Sequence, residues 1–229
     1  MRWLALLVLA FAPACGGSRT EAAPRNHKPT IDLAPVAADQ LCVTKGALAG
    51  TSVVDPTMRG YARGAGGDAA ALTFTYRGES FESRALAGGQ ERRQIGLKLR
   101  AQDSCNVVYV MWRLDPKPKL DVSVKLNPLQ ATHEECGADG YTKIKQRKKT
   151  FVPAFAYGKT HTLRAEIVGS ELYAWIDDQL LYQGTLPDTA RALKGPAGIR
   201  SDNVKFDLVS FAAPAAEGTP PPCKREGGD

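Results

Sequence analysis

Lys119 to Asn127 reads KLDVSVKLN, and its strict alternation puts Leu120, Val122, Val124 and Leu126 on one side of an extended chain. A helix would scatter those four side chains around its axis. A strand lines them up against a core. The same period of two returns in His161–Val168 (HTLRAEIV), while Asn106–Leu114 (NVVYVMWRL) is dense in valine and aromatic residues that suit a pleated surface. Glu171–Ile176 and Gln179–Gln183 follow, separated only by Asp177-Asp178, and Gly169-Ser170 stands before them; both dipeptides fit two-residue hairpin turns. Leu72–Tyr76, Gln94–Ala101, Gly195–Arg200 and Val204–Phe211 add further strands, and Asp188–Leu193 reads as a lone helical turn. Many short strands with turn punctuation predict an all-β fold, a two-layer antiparallel β-sandwich of jelly-roll type.

The N-terminus carries a different signal. Arg2 precedes an apolar run from Trp3 to Ala12 with no other ionisable group, the layout of a secretory leader over residues 1–14. The run is shorter than the roughly 20 residues needed to span a bilayer. Ala12-Pro13-Ala14-Cys15-Gly16-Gly17 resembles a bacterial lipobox, although Ala12 stands where leucine is preferred and Pro13 is unusual. The resemblance implies lipidation at Cys15, anchorage to a membrane through an N-terminal lipid, and display at the cell envelope, on the outer membrane or the cell surface. Ordinary cleavage and full secretion is the competing expectation.

Cysteine parity fits an exported chain. Of five cysteines, removing Cys15 leaves Cys42, Cys105, Cys136 and Cys223, an even set for an oxidising compartment. Four cysteines allow three pairings, and sequence alone does not select one. The preferred pairing is Cys42 with Cys223, because domain ends often lie close together, and Cys105 with Cys136. The spacings match no zinc pattern, so no metal is expected there.

The leader removed, residues 15–35 read as a flexible tether, 36–212 as the sandwich, and 213–229 as an irregular tail with Cys223 as its pin. Net charge falls from +6 to +5 with the loss of Arg2, an excess too modest to suggest nucleic acid.

Four segments stand in a telling order: Gly96-Leu97-Lys98-Leu99-Arg100-Ala101-Gln102-Asp103 followed by Asn106 to Val110, then His161 to Gly169, Glu171 to Asp178, and Gly198 to Asp207. Their order and motifs resemble those of concanavalin A-like lectin/glucanase domains, the laminin-G-like jelly rolls. The likeness spans roughly residues 70–212. Thr160 stands where the group has tryptophan, Asp178 replaces the turn glycine, and Asp115–Thr150 is an insert without counterpart. The resemblance implies the fold far more than a function.

Glycoside hydrolases of this group use two nearby carboxylates, which the laminarinase-like branch carries as E-x-D-x-x-E on one strand. That motif is absent here. Glu79 and Glu82 are three apart, Glu134-Glu135 sits in a loop, and Asp177-Asp178 reads as turn chemistry. No G-x-S-x-G, H-E-x-x-H, P-loop or dinucleotide fingerprint occurs. His27, His133 and His161 have no partner nameable from sequence, and His161 reads as a satisfied residue at the sandwich rim. Some members of the group bind calcium, for which Asp202-Asn203 and Asp177-Asp178 offer oxygens, but no dense acidic loop is present and neither metal nor cofactor is expected. The chain is therefore expected not to be an enzyme; a divergent sugar-active hydrolase is the alternative.

Two features suit recognition. Tyr109 and Arg113 share a strand face opposite Trp112, and Tyr173 and Trp175 share another face. Aromatic rings beside arginine suit a glycan, with core packing the competing reading for Trp112 and Trp175. Thr142–Thr150 reads TKIKQRKKT, which as a strand would set Lys143, Lys145, Arg147 and Lys149 in one row. Such a row faces either solvent, as edge protection, or an acidic polysaccharide, an anionic membrane or an envelope protein held by a scaffolding lipoprotein.

Overall fold

The computed structural model describes residues 27–216 and 222–223. The segment read as a leader, Cys15 with its expected lipid, and most of the C-terminal tail lie outside the described residues. In chain order the first strands are β1 (Ala34–Pro35), β2 (Leu41–Lys45), β3 (Ser52–Val53), β4 (Thr57–Ala62), β5 (Ala69–Glu79), β6 (Gln94–Leu99) and β7 (Val107–Arg113). The remainder are β8 (Lys119–Lys125), β9 (Tyr141–Lys143), β10 (Thr160–Val168), β11 (Glu171–Ile176), β12 (Gln179–Thr185), β13 (Gly198–Asp202) and β14 (Val204–Ala213).

They form two antiparallel sheets pressed face to face. One runs β1-β14-β5-β10-β11-β12 with β3 added on β14; the other runs β2-β4-β13-β6-β7-β8-β9. The alternation seen in the sequence decides which side chains meet. Val108, Val110 and Trp112 of β7 and Leu120, Val122 and Val124 of β8 enter the core from the second sheet. Leu72 and Phe74 of β5, Leu163 and Ile167 of β10, and Leu172 and Ile176 of β11 enter from the first. Each such side chain contributes roughly 1.5–3 kcal/mol through its removal from water.

Strand ends match the sequence reading to within a few residues, and the turn between Val168 and Glu171 has Gly169 at φ 63°. The β11–β12 turn has both Asp177 (φ 47°) and Asp178 (φ 64°) in the left-handed region. Aspartate tolerates this because its side chain can bond locally. The Asp177 carboxylate accepts from the Thr162 N–H at 2.8 Å and bonds His161 Nδ1 at 2.8 Å. Asp188–Ala192 is a 3-10 turn, and Glu134-Glu135 lies within a short helix, α1 (His133–Cys136), rather than a loop. The Ala131 and Thr132 N–H groups both donate to the Glu135 carboxylate at 2.9 Å, which caps this turn.

Disulfides join Cys42 to Cys223 and Cys105 to Cys136. The first ties the tail back to an edge strand. The second fastens α1 to the start of β7.

Two sequence expectations are corrected here. Residues 27–35 are not a free spacer, because they lie as a strap across the first sheet. Fully buried Glu166 draws them down: its carboxylate accepts from the Thr30 N–H at 2.9 Å and the Ile31 N–H at 3.2 Å, and bonds His27 Nε2 at 3.0 Å. Arg164 donates to the Ile31 carbonyl at 2.6 Å, and Ala34–Pro35 then pairs with the end of β14. A buried carboxylate with unfilled lone pairs is costly, so the chain supplies its own donors.

Nor is Lys143–Lys149 a row on one strand. Strand β9 stops at Lys143, and the following residues cross from the edge of one sheet to the edge of the other. Ile144 donates its N–H to the Val122 carbonyl of β8, Arg147 donates its N–H to the Gln183 carbonyl of β12, and the Tyr182 hydroxyl donates to the Ile144 carbonyl. Closing the sandwich side outweighs extending the strand, because Ile144 is thereby buried.

Candidate functional site

The outer face of the second sheet is hollowed into a cleft of about 460 Å³. Its floor is set by register. Across the sheet Lys98 of β6, Tyr109 of β7, Ser123 of β8 and Lys143 of β9 stand opposite one another. The next row runs Arg59, Arg200, Gly96, Met111 and Asp121. All these strands turn their apolar alternates inward, so the same period of two that builds the core delivers polar and aromatic groups to the outer face.

Gly96 leaves a gap in that row. A Cβ there would meet the Val110 carbonyl oxygen at 2.2 Å. No side chain therefore separates Arg200 from the next strand, and its guanidinium lies 4.8 Å from the centre of the Tyr109 ring. Tyr109 in turn stacks on Tyr141 at 6.1 Å. Burial pushes the Tyr109 hydroxyl up to about 12, so it stays protonated and able to donate.

Two carboxylates lie in the cleft, and both are occupied. Asp202 accepts from Arg59 at 2.7 Å, Arg200 at 2.9 Å and Gln94 at 2.7 Å. Burial alone would raise its pKa, but Arg200, Arg59 and the Gln94 bond overcome that and hold the carboxyl well below the usual range. Asp121 accepts from Arg113 at 2.7 Å and pairs with Lys119 at 3.1 Å, with Arg92 and Lys143 each 4.0 Å away. Burial lowers the pKa of both Arg113 and Lys119, with Asp121 opposing the shift.

The walls are braced from below. On one side, residues 84–92 are held by Asn203, which adopts φ 55° between β13 and β14. Its amide donates to the Arg84 carbonyl at 2.9 Å and the Arg92 carbonyl at 3.1 Å, and its oxygen accepts from the Arg84 N–H at 2.8 Å. On the other side, His133, Ala138 and Tyr141 stand on the segment fastened by Cys105–Cys136, with Lys125 Nζ donating to the Gly137 carbonyl at 2.8 Å.

The aromatic residues proposed from sequence separate into three places. Tyr109 lines the cleft, whereas Arg113 is not among its lining residues and reaches it only through Asp121, which it pairs at 2.7 Å. Trp112 points the other way into the core, edge-on to Phe155 at 5.1 Å, its Nε1 donating to the Pro153 carbonyl. Tyr173 and Trp175 are on the outer face of the opposite sheet, beneath the strap. His27 stacks on Tyr173 at 3.7 Å, and Trp175 Nε1 donates to the His27 carbonyl at 3.3 Å. Tyr173 and Trp175 therefore do not join Tyr109 in an open site. The basic residues separate as well. Lys143 lines the cleft, Arg147 pairs with Glu171 at 2.6 Å, and Lys145 and Lys149 face solvent elsewhere. Arg59, Arg200, Asp202 and Tyr141 form a group that the sequence does not reveal, since no linear spacing links three strands distant in sequence.

No protein-family model matches the chain, and no curated protein matches it in sequence. Solved structures do match it in shape. The carbohydrate binding module CBM66 from Bacillus subtilis superposes with a TM-score of 0.50 at 13% identity, covering 79% of this chain and 96% of that one. A tetrameric galectin from the ball sponge Cinachyrella sp. gives 0.41 at 14% identity, over 69% and 99%. The Crh5 transglycosylase in complex with NAG gives 0.44 at 14% identity, over 82% and 85%. At such identities the likeness concerns architecture, and the architecture is an all-β sandwich of the concanavalin A-like type.

Proposed function

We propose that the chain is a non-catalytic glycan-binding protein displayed on the cell envelope, and that the cleft on the outer face of the second sheet is its binding site. The observation that carries this reading is the cleft itself, with Tyr109 at its floor stacked on Tyr141 of the wall and charged groups around them. Its walls are braced by Asn203 and Cys105–Cys136, which lowers the ordering cost of binding. Sharing a fold with a carbohydrate binding module supports the same reading. A glycan array followed by isothermal titration tests it, and absence of saccharide binding at millimolar concentration would sink it.

A hydrolase needs one carboxyl kept protonated as the acid. Asp202 is held ionised by two arginines, which argues against that role for it, and Asp121 is engaged by Arg113 and Lys119. Two closed disulfides fit an exported protein. Lipidation at Cys15 completes the proposal. Detergent phase partition of the wild type beside Cys15→Ser tests it, and an unchanged distribution would remove the anchor.

A further inference from the structure

We propose that the cleft selects saccharides bearing anionic groups, such as ring carboxylates or sulfates, over neutral ones. This inference rests on the glycan-binding reading of the cleft and narrows it to a chemical class.

Among the described residues lining the cleft, eight are lysine or arginine and two are aspartate. The two aspartates are already engaged by Arg59, Arg200, Arg113 and Lys119. That matters for neutral sugars. A sugar hydroxyl both donates and accepts, so a neutral-glycan site needs acceptors as well as donors. Lysine and arginine offer donors alone, whereas a carboxylate or sulfate offers acceptors alone. The basic groups of the cleft, which also holds Thr57, Gln90, Ser104 and Ser123, are thus complementary to an anionic sugar in hydrogen bonding as well as in charge. At the rim, Lys45, Arg84 and Lys143 are exposed and within reach of a ligand in the cleft. A cleft with an excess of one sign of charge also concentrates ligands of the opposite sign.

A bare polyanion would not use the whole site. Tyr141 is 42% exposed and stacked on Tyr109, offering an apolar ring face to the C–H face of a sugar. The combination of an aromatic platform with surplus donors favours a charged ring over a charged string.

The test titrates the full chain with a uronate oligosaccharide, its carboxyl-reduced neutral counterpart, dextran sulfate, dextran, and polyphosphate. The expected result is tighter binding of the anionic member of at least one saccharide pair by about tenfold, the difference between charge-assisted and neutral hydrogen bonds. The triple variant Lys45→Gln, Arg84→Gln, Lys143→Gln should erase that preference, while Lys149→Gln, outside the cleft, should keep it. Equal or tighter binding of the neutral partners overturns charge selection and leaves the glycan reading standing. Binding of none of the four saccharides overturns both. Polyphosphate binding as tightly as the anionic saccharides overturns the role of the sugar ring.

Discussion

The Arg200 guanidinium lies over the Tyr109 ring, 4.8 Å from its centre, while its Nε holds the Asp202 carboxylate at 2.9 Å. One arginine thus joins the aromatic floor of the cleft to its buried acid. That link makes the site a unit, and its members should not tolerate change singly.

Arg200→Gln should be destabilising by about 3–5 kcal/mol, because it strips a partner from a carboxylate that is nearly inaccessible. Pairing it with Asp202→Asn should recover much of the loss. Urea unfolding of both single variants and the double variant gives the coupling directly, and additive effects would contradict the link.

Acid should act through the same group. The folded pKa of Asp202 lies below its unfolded value of about 3.9, so its contribution is complete above that value. It is lost as pH falls from about 4 through the lower folded pKa. Thermal melts from pH 7 to 2 should show a decline at the acid end that is shallower in Asp202→Asn.

Tyr141→Ala removes the exposed ring of the platform. Saccharide affinity should fall about tenfold, matching a loss of roughly 1–1.5 kcal/mol for an aromatic contact, with little change in stability. Trp112→Ala should behave the opposite way. It opens a hole in the core and costs about 3–5 kcal/mol, as read by denaturant unfolding.

The strap gives a fourth case. A chain beginning at Asp32 leaves Glu166 without Thr30, Ile31 and His27. Its melting temperature should drop, and Glu166→Gln in the shortened chain should restore part of it, because a neutral amide is cheaper to bury than a carboxylate. Exposure of Trp175 should shift its fluorescence to the red.

Replacing both Cys105 and Cys136 by serine opens a loop of 31 residues, with an expected cost of about 3–4 kcal/mol from chain entropy. The wall bearing His133 and Tyr141 should exchange its amide hydrogens faster, while the β5–β10 pair should not.

Strands and layers were legible along the chain wherever one face is buried and the other is not. Val122 and Val124 announce β8, and even the Asp177-Asp178 turn could be placed without a glycine. Strands β2 and β4 are not legible along the chain, because Leu41–Lys45 and Thr57–Ala62 mix small, polar and apolar residues with weaker alternation. Nor is the end of β9, since the burial of Ile144 depends on a strand almost forty residues later.

Alternation is a local property, imposed by the pleat on each residue and its neighbours, so the sequence by itself determined that this chain would form two apolar-faced sheets. Which aromatic rings stay open was decided only by tertiary structure. Tyr109 and Tyr173 look alike in their strands, yet one floors a cleft and the other lies under His27. That difference arises from which distant segment packs on each sheet's outer face, and a pairing across more than a hundred residues leaves no period to read.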